Sequence, residues 1–447
     1  MTQPLRLGIV TVIVWWAAVA PAPAQLPAEA LAQGAGPNGP YTPPACVPGV
    51  PFSDITCGTG FDPWIEQFAL DGITAGCGGG NYCPGSPVTR DQMAVFIEKA
   101  MRGTAGWPPH TQLVWAVRNS DGTPNPTASG TALLTAVAAI PTSGNDTPSA
   151  TNPWLLRIGP GIYDLGAGAL QMKSYVDVEG SGTGATIVTA AGSASVTTGT
   201  VVGANNAELR SLTVRNTGGA GTVATGVFCN GTSPNLRNVA IVVTNDSSDY
   251  AFGFYGIGYG GSLTDVSVRH TDTPYSVWGV QFISASNATA SRLSVQITDT
   301  SNQAVGVYVQ NSQLTMEGSN VTVGGGNIGA DADGVINAGS YVTISNTVIS
   351  LPPSAAGNKN AVDNSNGTTA LLTAVTAGGS NTAGVNNETG AAGLVTIDHC
   401  VLDSVVNNGA YSVYAGASRI GFASKPGGGT FTCTGNYDFN YNPLSCP

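Results

Sequence analysis

Asp272 and Asp299 stand 27 residues apart, each inside Thr-Asp-Thr, and Thr244-Asn245-Asp246 holds the same place one interval earlier. If that interval is one turn of a stacked chain, neighbouring carboxylates come within about 5 Å of each other. Two carboxylates at that spacing suit a retaining glycosidase, one as nucleophile and one as acid. With Asp246 near by, the same oxygens suit Ca2+, the one cofactor the sequence raises. The favoured reading is structural: Thr and Asp oxygens hold backbone N–H groups in stacked Asx turns.

Other chemistry is thin. His110, His270 and His399 are scattered along the chain, which argues against a zinc site. Asp265 and Arg292 are again 27 apart and read as a surface ion pair worth at most about 1 kcal/mol. The sequence contains no phosphate-binding Gly loop and no serine elbow.

Residues can meet in this way only if the chain returns to the same place at a fixed interval. Leu212, Val239, Val266 and Leu293 are spaced by 27, and Val321, Val348, Val375 and Val401 extend the series within one residue of slip. Two residues further on stand Val214, Ile241, Val268, Val295 and Val323, and three before the first anchors stand Leu209, Leu236 and Leu263. A separate column holds Gly226, Gly253, Gly279, Gly306 and Gly334. Within each unit apolar residues alternate with period 2, and turns such as Asn230-Gly231 and Asn337-Ala338-Gly339 intervene.

No such unit buries its own apolar edge, but stacked coils bury a continuous column. The expected fold is mainly β, a parallel β-helix over residues 130–447 with about 27 residues per coil. Alternation then turns Thr213, Ala240, Ser267, Ser294 and Thr322 outward. A helix at Ala132 to Ile140 should cap one end, and Thr430 to Pro447 the other, stapled by Cys433–Cys446. Cys229 and Cys400 would lie six coils, on the order of 30 Å, apart, too far for a disulfide.

Composition agrees. The 447 residues include 61 Gly and 28 Pro, with only 9% charged and 42% hydrophobic, which excludes both disorder and a long coiled coil. Fifteen Lys+Arg against 26 Asp+Glu give a net charge of −11, so nucleic acid is not an expected partner. Arg6, the apolar run Leu7 to Ala20 and Ala22-Pro23-Ala24 read as a secretory signal over residues 1–24. No transmembrane segment is expected beyond it. Eight cysteines in an exported chain suggest disulfides, and the close pairs are Cys46–Cys57, Cys77–Cys83 and Cys433–Cys446.

Between a Pro/Gly-rich leader (25–50) and a linker with a first strand at Leu113 to Val117 (104–129) lies a small helical module, residues 51–103. Asp62-Pro63 opens one helix, with Trp64, Ile65, Phe68 and Ala69 on one face. Thr89-Arg90-Asp91-Gln92 is a capping box opening a second, whose buried face should be Met93, Phe96, Ile97, Ala100 and Met101.

These motifs carry two resemblances. Phe52-Ser53-Asp54-Ile55, Trp64-Ile65, Gly72-Ile73-Thr74-Ala75-Gly76, Pro84 and Val88 to Ala94 together resemble one S-layer homology (SLH) module. The resemblance implies binding to cell-wall polysaccharide or peptidoglycan through Asp54, Trp64, Thr89 and above all Arg90, whose planar guanidinium suits paired oxygens. Gly159 to Tyr163, Val176 to Gly182 and Val395 to Cys400 resemble the pectin-lyase-like right-handed β-helix superfamily. Asp398-His399 is superficially similar to a pectate-lyase motif, but the catalytic motifs of that superfamily's lyases, polygalacturonases and pectinesterases have no convincing counterpart. The chain therefore reads as an exported cell-envelope protein, wall-anchored, displaying a non-catalytic β-helix rod with a structural or adhesive role. The alternative is a wall-attached lyase or glycoside hydrolase using Asp272 and Asp299. The sequence assigns no oligomeric state.

Overall fold

The computed structural model describes residues 35–36, 39–40, 52–58, 60–70, 73–102, 110–192, 195–219, 223–244, 250–271, 276–298, 303–324, 331–351, 359–379 and 383–447. The signal-like segment, Cys46 and the three acids Asp246, Asp272 and Asp299 lie outside the described residues. The chain forms two compact units, Met1–Gly106 and Trp107–Pro447.

In the first unit, helix α1 (Asp62–Leu70) and helix α2 (Arg90–Arg102) flank a loop closed by Cys77–Cys83. Cys57 is also in a disulfide. The capping box forms as expected: Thr89 N–H donates to Gln92 Oε1 (3.0 Å) and Gln92 N–H to Thr89 Oγ1 (3.4 Å). The expected buried face of α2 forms only in part among its described side chains, Met93, Phe96 and Ile97; those of Ala100 and Met101 lie outside the described residues. Phe96 packs edge-on against Phe68, but Met93 and Ile97 are about half exposed, at 48% and 51%. Two short helices offer little surface to cover a full helix face.

The second unit is the parallel β-helix. It opens with the strand His110–Val114, three residues earlier than the sequence suggests, paired in parallel with Trp154–Ile158. Helix α3 runs over Pro126–Ala139, six residues earlier than expected. Asn125 caps it by accepting from Ala128 N–H, and Pro126 fits its first turn. Gly130 lets α3 lie against the strand Gly161–Asp164, because a Cβ there would collide with the Asp164 carbonyl.

From Val176 onward every coil stacks in parallel on the next. Leu212 pairs with Val239 and Val239 with Val266, all buried, while Ser267 pairs with Ser294 and so brings Leu293 into the same inward column. The later anchors need correction. Val321 pairs with Val295 and Val323 with Ile297, so Val321 belongs one inward position further on. Val348 pairs with Asn320 and is exposed, and Val401 pairs with Thr376 on the outside. The true column continues through Ser319, Thr347, Val375, Cys400, Ser418 and Asn436. There side-chain oxygens and sulfur take over from aliphatic groups and accept from the neighbouring coil: Leu293 N–H to Ser319 Oγ, Val375 N–H to Cys400 Sγ, Cys400 N–H to Ser418 Oγ. Small polar residues hide in this column because each satisfies a backbone group.

Corners repeat as left-handed residues: Ser211, Asn238, Asp265, Arg292, Gly318, Asn346, Ala374, His399, Ala417 and Gly435. The first steps between them are 27 residues, and the last two are 18. The coil shortens because Val401–Asn407 passes directly from the third sheet (Ser294–Ile297, Asn320–Val323, Val348–Ser350, Thr376–Gly378) to the first (Ala224–Asn230 through Val385–Asn387), pairing with Thr376–Gly378 and then with Val385–Asn387. The end is closed by Thr430–Thr434 and a Cys433–Cys446 disulfide. Cys229 and Cys400 are free and buried. Among the described residues no helix is long and apolar enough to cross a membrane.

Candidate functional site

The first sheet of the helix is built from Ala224–Asn230, Tyr250–Ile257, Ser276–Ile283, Gln303–Gln310, Asp331–Ala338, Lys359–Ser365 and Val385–Asn387, in that order. Each strand but the last two carries a column glycine at a break in pairing, Gly226 through Gly334. A Cβ on Gly279 would lie 2.4 Å from Val295 Cγ1 and 2.6 Å from the Gly306 carbonyl, so the column lets the first sheet close onto the third.

The next residue points inward and the one after it outward. That outward column reads Phe228, Tyr255, Gln281, Tyr308, Ile336, Asp363, Asn386, Val406. Beside it runs Thr225, Phe252, Trp278, Val305, Asp333, Asn360. One face of the rod is therefore aromatic at one end and acidic or amidic at the other. Tyr255 and Asp363 are four strands, about 19 Å, apart.

At the aromatic end Phe252 stacks on Trp278 (5.0 Å between centroids, 10°) and on Tyr255 (5.0 Å, 16°), and Phe228 meets Tyr255 edge-on. Such contacts lock the rings together, with Phe228 and Phe252 buried and Tyr255 and Trp278 half-buried. At the other end lies an open cleft of about 960 Å³, lined by Tyr308, Asp333, Asp363, Glu388, Asp403, Asn360, Asn386, Asn408 and Phe439 among others. Asp333 and Asp363 are buried in its wall, while Glu388 is exposed. A relay of amides holds the floor: Asn408 Nδ2 donates to Asn386 Oδ1 (3.0 Å), and Asn386 Nδ2 donates to Asp363 Oδ1 (2.7 Å). Asp403 Oδ2 accepts from Gly379 N–H at 2.7 Å. No Lys or Arg is among the described residues lining the cleft; Lys359 lies behind it, in the inward register of Ala304 and Ala332.

Neither end is among the sites expected from sequence. Asp272, Asp299 and Asp246 lie outside the described residues, so neither their pairing nor a Ca2+ site is placed. Among the described residues no group of three metal-ligating side chains occurs. The expected outward stripe is real but uneven: Ser267 and Ser294 are exposed, Thr213 is covered and donates to the Thr183 carbonyl, and Thr322 pairs with Gln296, leaving Asn320 beside Ser294. Arg292 and Asp265 form the expected ion pair, with Nη2–Oδ2 at 2.7 Å, well exposed. Asp398 and His399 contact each other at 3.0 Å on the surface, and His399 is itself a corner residue. His270 is buried in the core.

In the first unit Asp54 is a structural clamp. Its oxygens accept from Tyr82 and Cys83 N–H groups at 2.7 Å each, and these bonds, Tyr82's first, hold its pKa below the usual carboxylate range. Trp64 lines an apolar hollow of about 450 Å³ with Phe61, Ile65, Phe68, Tyr82 and Pro84. Thr89 is engaged in the capping box, and Arg90 is exposed at the start of α2.

No family model matches this chain, and no curated protein sequence matches it. Among solved structures it is similar to the A-module of the Azotobacter vinelandii mannuronan C-5 epimerase AlgE6, at 15% identity over 71% of this chain and 96% of that one, TM-score 0.37. Pectin methylesterase from carrot matches at 15% identity over 63% and 88%, TM-score 0.36. A family 28 exopolygalacturonase of Yersinia enterocolitica matches at 10% over 76% and 80%, TM-score 0.29. At such scores the fold rests on the strand register described above, and the chemistry on the residues of this chain.

Proposed function

We propose that this chain is an exported glycan-binding β-helix, with the polysaccharide lying across the outward face of the first sheet. The observation that carries this reading is the pair of adjacent outward columns, Phe252 and Trp278 in one and Tyr255, Tyr308, Asp363 and Asn386 in the other. The half-buried rings of Trp278, Tyr255 and Tyr308 offer apolar surface to the C–H faces of sugars, with buried Phe252 packed behind them, and amides and carboxylates offer hydrogen bonds to their hydroxyls. Affinity electrophoresis in gels containing soluble polysaccharides tests it. Trp278→Ala should weaken retention about tenfold, about 1.4 kcal/mol, with the circular dichroism of the rod unchanged. If no glycan retards the parent protein, the reading fails.

A second reading has its own support. Asp333 and Asp363 are two carboxylates buried in the wall of one cleft, the minimum equipment for acid–base cleavage of a glycosidic bond. On this reading Asp363→Asn abolishes product release from a bound glycan while retention in the gel persists. The first unit would hold the protein to cell-wall polysaccharide or peptidoglycan, with Arg90 on the glycan, as its SLH-like sequence implies. The full chain should sediment with purified wall sacculi, and Arg90→Ala should release it.

A further inference from the structure

We infer that this chain pairs with a second copy of itself through the edge of its last strand, Thr430–Thr434, as an end-to-end dimer about a twofold axis at Thr432. The second sheet of the rod ends at this strand, which pairs with Ser412–Gly416 on one side and with no described strand on the other. Thr430 N–H donates to the Tyr411 carbonyl and Ala417 N–H to the Thr434 carbonyl, both at 3.0 Å. Residues of a strand bond to its two sides alternately, so the N–H and C=O groups of Phe431 and Cys433 face the open edge. Among the described residues no hydrogen bond reaches them. The Cys433–Cys446 disulfide and Leu444 cover the interior of this coil, not its edge. Natural edges are blunted by a charge, a proline, a bulge or a covering element. Here the register is unbroken, and Gly427 to Tyr437 contains neither a charged residue nor a proline.

Two features select a second copy as the occupant. A twofold axis at Thr432 sets Phe431 opposite the partner's Cys433 and Cys433 opposite the partner's Phe431. Antiparallel strands exchange both bonds at such positions, so every free group on the two edges finds a partner. Thr432 then faces itself, a favourable cross-strand pair, and a chain carrying −11 meets its copy at a strand without charge. The end of the rod is also uneven in a matching way. On the third sheet Tyr437 adds a further rung, bridging Arg419 in parallel and accepting from Ile420 N–H at 2.8 Å. On the first sheet no described residue pairs beyond Phe422 to Ser424, and Phe422 is 58% exposed. An axis normal to the second sheet exchanges the two sheets that flank it. Each copy's extra rung therefore faces the other's missing one, giving the two equivalent contacts of an isologous interface.

The experiment is sedimentation velocity of the full chain over a concentration series, with circular dichroism as the check on folding. The parent should pass from the mass of one chain to that of two and no further. Thr432→Lys, at an exposed position, sets two like charges opposite each other. It should abolish the dimer at the concentration where half of the parent is associated. Thr289→Lys, exposed in the interior of the same sheet, should leave the dimer intact. Thr432→Cys should link two chains through that position under mild oxidation, because a twofold axis sets a residue opposite itself, and peptide mapping locates the bond. If the parent remains a single chain up to about 0.1 mM, the dimer is overturned. If the parent dimerises but Thr432→Lys does so equally, or the link at position 432 does not form, this edge is not the interface and the inference falls. Species that grow beyond two chains would mean head-to-tail stacking, which also overturns it.

Discussion

The inward column beneath the candidate site changes character midway, and its energetics give the sharpest test of the fold. It begins with Cys229, Gly256, Phe282 and Val309 and continues as Asn337, Asn364, Asn387 and Asn407, all of them buried. The four amides chain together: Asn337 Nδ2 to Asn364 Oδ1 (3.2 Å), Asn364 Nδ2 to Asn387 Oδ1 (2.9 Å), Asn387 Nδ2 to Asn407 Oδ1 (3.3 Å). Asn407 ends the chain on the Tyr411 carbonyl at 3.0 Å. Asn364→Ala removes two of these bonds at about 1 kcal/mol each, and it strands the buried Asn387 carbonyl oxygen, at about 1–3 kcal/mol. The expected loss is about 3–5 kcal/mol. Asn364→Leu should lose less, because it fills the space as Val309 does two coils earlier, although its neighbours remain stranded. Urea unfolding followed by circular dichroism measures the total. Because each coil touches only its neighbours, hydrogen exchange should quicken first in Val385–Asn387 and Val401–Asn407, not around Leu212. A loss below about 0.5 kcal/mol would refute the chained-amide account.

Packing and burial give two further outcomes. Gly279→Ala should cost about 1–2 kcal/mol in the same urea assay. The overlap with Val295 and the Gly306 carbonyl costs about 1–3 kcal/mol and outweighs the chain entropy recovered, whereas Gly428→Ala, with open space around its Cβ, should change little. Burial pushes the His270 imidazole down to about 3, opposed only in part by the Trp278 backbone. The ring is therefore neutral in the fold and charges in the unfolded chain below about 6.5. The stability it contributes is complete above that pH and drains away as pH falls toward 3, by about 2 kcal/mol at pH 5. His270→Leu should flatten the pH dependence of the urea midpoint across that window.

Much of the scaffold is legible directly. Leu212, Val239, Val266 and Leu293 announce the stacking because aliphatic residues in an inward column must repeat in type as well as spacing. The column fades from view after Leu293 because Ser319, Thr347 and Ser418 look like surface residues until their backbone partners are known. The binding face escapes sequence reasoning for a related reason. Its residues, Phe228, Tyr255, Gln281, Tyr308, Ile336 and Asp363, stand two places after the column glycines or Ala361, but they differ in type, and a search for repetition passes over positions that vary. The signal that could find them is the position two residues beyond each glycine, compared from coil to coil. The α2 face is overestimated because helical periodicity shows which residues could be buried, not whether anything is there to bury them.

The drop from 27 to 18 residues per corner step occurs where Asp403, Ser404, Val406 and Asn408 meet the cleft. A shortened turn leaves a ledge in the side of an otherwise even column, and the ledge forms part of the cleft wall. Its location is thus written in loop length rather than in core sequence. Transferring the same shortening one turn upstream would slide the hollow along the rod by about 5 Å, one strand closer to the rings of Trp278 and Phe252, with the same interior still stacked beneath it.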